Sequence, residues 1–300
     1  MLLLRLSTTT SQPRDLKVKS PTKITSSSSL TNLIPRCIAV VTAVTHTCIG
    51  LGHGGPVAVP DVPAYLSIAQ WFHGGLRVAD NAFHPGYGLL LTPIGWLSGP
   101  TVHTCALIFN GCLAATAVIL AARIARQWDA KPRIVALSAV VAAIHPILSS
   151  SSRIALPETL LTVIICCLVL LLDQQRWSLA GLLAGLSIAI HPRQLVAVAA
   201  AIVTSLFCRK WRPACGSLAA GLSIAIIAIG LTDSWPGERI KAVGDISDGP
   251  NPIMTGLGQW IALSAGSAGI AAIGSVVAFT VIRSKKYPPS FQFLVVGIAG

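Results

Sequence analysis

Apolar stretches long enough to cross a bilayer recur along this chain, and short basic clusters fall between them. A hydrocarbon layer about 30 Å thick takes about 20 residues of helix, and lipid offers no partner to an open backbone, so such runs read as helices. Hydrophobic residues make up 53% of the chain and charged residues 11%, which places it among polytopic helical membrane proteins. Lys and Arg outnumber Asp and Glu by 22 to 10. In a soluble protein that excess suggests nucleic acid. Here the basic residues lie between apolar runs, where they report topology, and no nucleic-acid partner is expected.

The eight cysteines lie in or at the ends of apolar runs and show no Cys-x-x-Cys pairing, so they read as small apolar helix residues. Residues 1–36 are rich in Ser, Thr, Lys and Arg, with no secretory-type apolar core, and read as a disordered basic cytoplasmic tail ahead of a transmembrane domain over 37–300.

Keeping basic clusters on the cytoplasmic side yields one threading. A first span at about 37–56 runs outward and opens an external loop over about 57–102. Within that loop, Gly86 to Leu97 is apolar for only 12 residues, roughly 18 Å of helix, and is expected not to cross. Spans then follow at about 103–124, as hairpins over 134–172 and 178–208, and at 213–232. A second external loop at about 233–257 leads to a span at 258–282. The fold class is therefore all-α, a transmembrane bundle of about eight complete spans. A partial last one begins at Phe291 and stops after ten residues, so the chain reads as truncated at its C-terminus. This threading puts 17 of the 22 basic residues inside and most acids outside.

The second hairpin has arms of 13 and 14 residues, Ser178–Ile190 and Leu195–Cys208, roughly 20 Å each. Its tip, His191-Pro192-Arg193-Gln194, is expected to stop short of the outer surface and to leave Arg193 on the floor of a water-filled cavity. The first hairpin has a tip of four serines and Arg153, followed by Pro157 and Glu158. Glu158 has an alternative reading as the acid that suits a helix N-terminus, and Arg153 as a cation snorkelling to the interface.

In the first external loop, Asp61 stands before Val62 to Leu76, where Val62, Leu66, Ala69, Trp71, Phe72 and Leu76 recur at helical spacing and suggest an interfacial helix. Asp61 reads either as its N-cap or as a functional carboxylate. Asp61 with Tyr65 four positions on, a jaw helix ending at Gly74-Gly75, and His84-Pro85-Gly86-Tyr87-Gly88 together resemble the N-terminal half of GT-C glycosyltransferases. The likeness is to the protein O-mannosyltransferase and aminoarabinose-transferase branch. It continues through Ser152-Arg153-Ile154-Ala155-Leu156-Pro157-Glu158 and His191-Pro192-Arg193, covering about 37–210. That branch often carries two neighbouring acids in the first loop, where this chain has Asp61 alone.

The resemblance implies a polyprenyl-phosphate-linked sugar as donor, used on the extracytoplasmic face, with an acceptor it does not identify. Such chemistry needs a base for the acceptor proton and cations for the departing phosphate. Asp61 is the expected base, and Arg193 with Arg153 the expected phosphate clamp, because guanidinium meets phosphate oxygens in bidentate fashion. Glu158, Tyr65, His84 and His191 are supporting candidates. Some members of the family use a divalent ion, for which Asp61 and His84 are the weak ligand candidates. The glycine-rich Gly50 to Gly55 lacks the context of a phosphate loop and reads as a span end.

Ala184–Ile190 and Ala220–Ile226 both read Ala-Gly-Leu-Ser-Ile-Ala-Ile. Duplicated transporter spans are one explanation, and convergence on close helix packing the favoured one. The rival functions are a secondary transporter or lipid flippase, and a non-catalytic membrane protein that tolerates Asp61→Asn.

Overall fold

The computed structural model describes residues 28–53, 61–76, 84–191 and 194–232. Among the described residues all regular structure is helical. Ten α-helices follow in order: α1 (Ser28–Gly52), α2 (Asp61–Trp71), α3 (Pro85–Leu91), α4 (Gly99–Gln127), α5 (Pro132–Ile144), α6 (Pro146–Ser152), α7 (Glu158–Asp173), α8 (Trp177–Ile190), α9 (Leu195–Phe207) and α10 (Trp211–Leu231). A 3-10 turn, Thr92–Ile94, extends α3.

Three of these helices, α1 over Asn32–Gly52, α4 and α10, are long and apolar enough to cross a membrane. The threading expected about eight spans. Helices α5, α8 and α9 are apolar but only 13, 14 and 13 residues long, roughly 20 Å, and the span expected at 258–282 lies outside the described residues.

Several boundaries differ from expectation for identifiable reasons. α1 begins at Ser28, ahead of the expected start at 37, so residues 28–36 are helical rather than tail. The arm expected to run unbroken from Ile134 to Leu148 stops at His145, whose ψ of 127° is extended, because a residue before proline is driven out of the helical region. The serine tip is helix α6 rather than a loop. Ser150 Oγ donates back to Pro146 O at 2.9 Å, while Ser151 and Ser152 are buried against other helices.

α2 also departs from a one-faced interfacial helix. Val62, Ala64, Tyr65, Leu66, Ser67, Ile68 and Ala69 are all buried, because α3, the 3-10 turn and α4 pack around it. Trp71, Phe72 and Leu76, expected on its apolar face, are exposed, and the chain turns away at Gly74 with φ +83°. As expected, Gly86 to Leu97 makes only the seven-residue α3 and the 3-10 turn.

The main core joins α2, α3, α4 and α7 to α8, α9 and α10. Its tightest seam lies between α8 and α10. A Cβ on Gly185 would meet Leu218 O at 2.6 Å and Gly221 C at 2.8 Å, and a Cβ on Gly181 would collide with Ala214 O. Residue numbers rise together along the two helices, so they run parallel, with α9 as the return. The duplicated heptapeptides therefore lie side by side, Gly185 against Gly221. The repeat is a self-packing surface made of small residues that let two backbones approach. Among the described residues no two cysteines are joined by a disulfide.

Candidate functional site

The turn between α6 and α7 carries Arg153 and Glu158, and its shape follows from the local sequence. Leu156 N–H donates to Ser151 O at 3.3 Å across Ala155, which takes a left-handed φ of 57°. That is how a helix commonly ends and reverses. Pro157 then starts the next helix and Glu158 falls in its first turn, where the helix dipole favours a carboxylate.

One buried amide holds the turn from outside. Asn110, within α4 and with no solvent exposure, donates from Nδ2 to Leu156 O at 2.9 Å and to Ser151 O at 3.3 Å. Its Oδ1 accepts from the Tyr87 hydroxyl at 2.9 Å. Ser151 Oγ and Thr159 Oγ1 share a hydrogen bond of 2.9 Å, and Ser152 Oγ shares one of 2.7 Å with His46 Nδ1 on α1. A Cβ on Gly50 would come within 3.0 Å of Arg153 O, so α1 can approach this closely only with glycine there. Helices α1, α4 and α7 thus fix the stretch from Ser151 to Thr159, with α3 bonded to it through Asn110.

In that rigid setting, Arg153 Nε and Glu158 Oε2 are buried and have no hydrogen-bond partner among the described residues. Both side chains are otherwise half-buried, and an unpaired buried charged atom is one that a ligand, ion or water can complete. Gln194 Oε1, at the start of α9, is in the same condition. Burial holds the Tyr87 phenol far above its ordinary value, and the Glu158 charge pushes it the same way. Tyr87 therefore remains a donor to Asn110 across the working pH range.

The His84-Pro85-Gly86-Tyr87-Gly88 segment joins this cluster to the tip between α8 and α9. Cβ atoms on Gly86 and Gly88 would lie 2.8 Å from the Ala189 backbone and 2.7 Å from Tyr65 O, so only glycines let α3 fit between α8 and α2. This docking puts the His84 ring edge-to-face with His191, centroids 5.0 Å apart at 61°. Tyr65 meets Tyr87 in the same manner at 5.8 Å and 84°. Asp61 is the partly exposed first residue of α2 and, one turn before Tyr65, shares its face. Arg193 lies outside the described residues.

The structure thus sets Tyr65 and the His84–His191 pair around α3, and Arg153 and Glu158 on one turn, with Tyr87 in ring contact with Tyr65 and linked to the turn through Asn110. In the sequence Tyr87 stands out only as part of the His-Pro-Gly-Tyr-Gly segment, and Asn110 carries no motif at all. A lone Asn inside a 29-residue apolar helix was the available signal, since an amide there is expensive unless bonded. Among the described residues no group of three or more His, Cys, Asp or Glu gathers closely enough to hold a metal ion.

Fold and site together define an all-helical protein with helices of membrane-spanning length and a buried polar cluster that joins two chain reversals to a short inserted helix. No protein-family model, curated protein or solved structure matches the chain. Function is accordingly argued from the site itself.

Proposed function

We propose that this protein is a multi-pass membrane glycosyltransferase that moves a sugar from a polyprenyl-phosphate donor to an acceptor on the extracytoplasmic face. The observation that carries the reading is the α6–α7 turn, which carries a guanidinium and a carboxylate whose buried atoms lack partners among the described residues, within a scaffold whose own polar groups are bonded. A phosphorylated sugar supplies what both need: phosphate oxygens for Arg153 and hydroxyl donors for Glu158.

In this mechanism Asp61 takes the acceptor proton as the acceptor oxygen or nitrogen attacks the anomeric carbon. The bond from that carbon to the phosphate oxygen breaks with inversion, and the polyprenyl phosphate departs with the electron pair, stabilised by Arg153 and Arg193. In this reading His84, His191 and Glu158 bind sugar hydroxyls. The N-terminus and basic clusters face the cytoplasm. Reporters fused at residues 80 and 129 then fall on opposite sides, and finding both on one side removes the topology.

The activity is tested with the full chain in proteoliposomes and a panel of radiolabelled polyprenyl-phosphate sugars, reading release of free polyprenyl phosphate with water taking the sugar in place of the native acceptor and giving its proton to Asp61. Wild type turns over at least one donor. Asp61→Asn and Arg153→Ala each lower that turnover by about a hundredfold, the low end of what a positioned acid–base group contributes. Equal turnover by all three proteins, or none by wild type on any donor, sinks the assignment.

A further inference from the structure

Away from this cluster, a groove of about 440 Å³ opens between the N-terminal part of α1 and the C-terminal part of α4. Arg36, Arg123 and Arg126 line it, with Pro35, Ile119 and Ala122 as its apolar portion. Pro35 and Ala122 are buried at its base, whereas the three arginines and Ile119 are exposed.

We infer that this groove is a binding site for the phosphate of an anionic phospholipid headgroup. Three guanidiniums from two helices converge on one concavity, and no acid is among its described lining residues. Arg123 and Arg126 are three apart on α4, a spacing at which like charges destabilise a helix. An anion held between them reverses that repulsion, and a phosphodiester offers oxygens to two guanidinium forks at once.

Position selects lipid over a soluble anion. Both walls are helices of membrane-spanning length and apolarity, one near its first residues and the other near its last, so the groove lies where a span meets the headgroup layer. Ile119, one turn before Arg123 on α4, lies toward the hydrocarbon side and suits the glycerol and upper acyl chain. A lysine cluster would attract the same layer diffusely, whereas arginines arranged around a concavity select one headgroup.

The test uses the full chain in mild detergent, with short-chain phosphatidylglycerol, phosphatidylcholine and inorganic phosphate as probes, and reads bound lipid by native mass spectrometry. Wild type retains one phosphatidylglycerol in preference to phosphatidylcholine. Arg123→Gln weakens it about fivefold, and the Arg36→Gln, Arg123→Gln, Arg126→Gln triple variant roughly a hundredfold, at the ordinary worth of a basic residue near an anionic surface. Replacing Arg209, Lys210 and Arg212 by Gln, a basic cluster outside the groove, leaves retention unchanged, and Arg123→Lys retains part of it. Loss from the 209–212 variant equal to that of the groove variant overturns the site, as does equal retention of the two lipids. Displacement of the lipid by millimolar inorganic phosphate overturns the lipid assignment. None of these readouts involves sugar transfer, so the groove and the glycosyltransferase reading fail separately.

Discussion

The hydroxyl of Tyr87 donates to Oδ1 of Asn110 at 2.9 Å, joining residues 23 apart in sequence that are both shielded from solvent. Because Asn110 directs its amide hydrogens to the carbonyls of Ser151 and Leu156, this one contact ties the α3 insertion to the turn carrying Arg153 and Glu158.

Removing either partner strands a different number of groups. Tyr87→Phe leaves one buried acceptor unmet and should cost about 1–3 kcal/mol. Asn110→Ala leaves the phenol and the Leu156 carbonyl without their partner, takes one of several donors from the Ser151 carbonyl and opens a void, so its loss should be larger. Thermal unfolding in detergent gives the order, and an Asn110→Ala protein as stable as Tyr87→Phe would contradict the network.

Alkaline pH probes the same phenol. Its folded pKa is raised by burial, so the stability it contributes is complete below the unfolded value of about 10 and declines as pH rises beyond that. Wild type should lose stability above pH 10 more steeply than Tyr87→Phe, by up to about 1.4 kcal/mol per pH unit, with the two curves parallel at lower pH. Parallel curves throughout would mean that the phenol is not buried.

The α8–α10 seam makes two glycines respond oppositely to the same change. Gly185→Ala drives a Cβ against the backbone of Leu218 and Gly221, which cannot yield locally, and should destabilise by about 1–3 kcal/mol. Gly216→Ala, in α10 with nothing within 4 Å of the added carbon, should stabilise by up to about 1 kcal/mol through helix propensity. Unfolding midpoints of the two variants moving together would refute the seam.

The ring contact of His84 with His191 predicts a short cross-link. In a cysteine-free background, His84→Cys with His191→Cys should be joined efficiently by a short bismaleimide. Adding Gly86→Ala, whose Cβ meets the Ala189 backbone at 2.8 Å, should suppress the product several-fold by pushing α3 away. Equal yields with and without Gly86→Ala would show that α3 does not dock on α8 as described.

Much of the helical frame was legible from local signals. α8 and α9 begin and end within a residue of the expected arms, because basic residues and a His-Pro pair bound their apolar runs on either side. The break at His145 was equally available in the His-Pro dipeptide and was passed over in favour of an unbroken apolar arm. The serine tip of the first hairpin is helical as α6. In α6 its hydroxyls find carbonyls one turn back, which local sequence allows, and Thr159 and His46, of which His46 is 106 residues away and invisible to any local window.

The heptapeptide repeat shows the same division. Composition alone allowed either duplicated spans or close packing, and the parallel approach of Gly185 to Gly221 favours packing.

From the sequence alone came the apolar helical character of the chain, the weakness of 86–97 as a span and the residues that bear charge near chain reversals. These are properties of hydrophobic length and of single-residue backbone preference, which act over a turn or two of helix. Tertiary structure decided that Asn110 organises the α6–α7 turn, that α2 is enclosed rather than laid on an interface, and that His84 meets His191. Each of those depends on which helix faces meet across tens of residues. That choice is made by steric fit at glycines and by the need of buried polar groups for partners, neither of which is encoded within one segment.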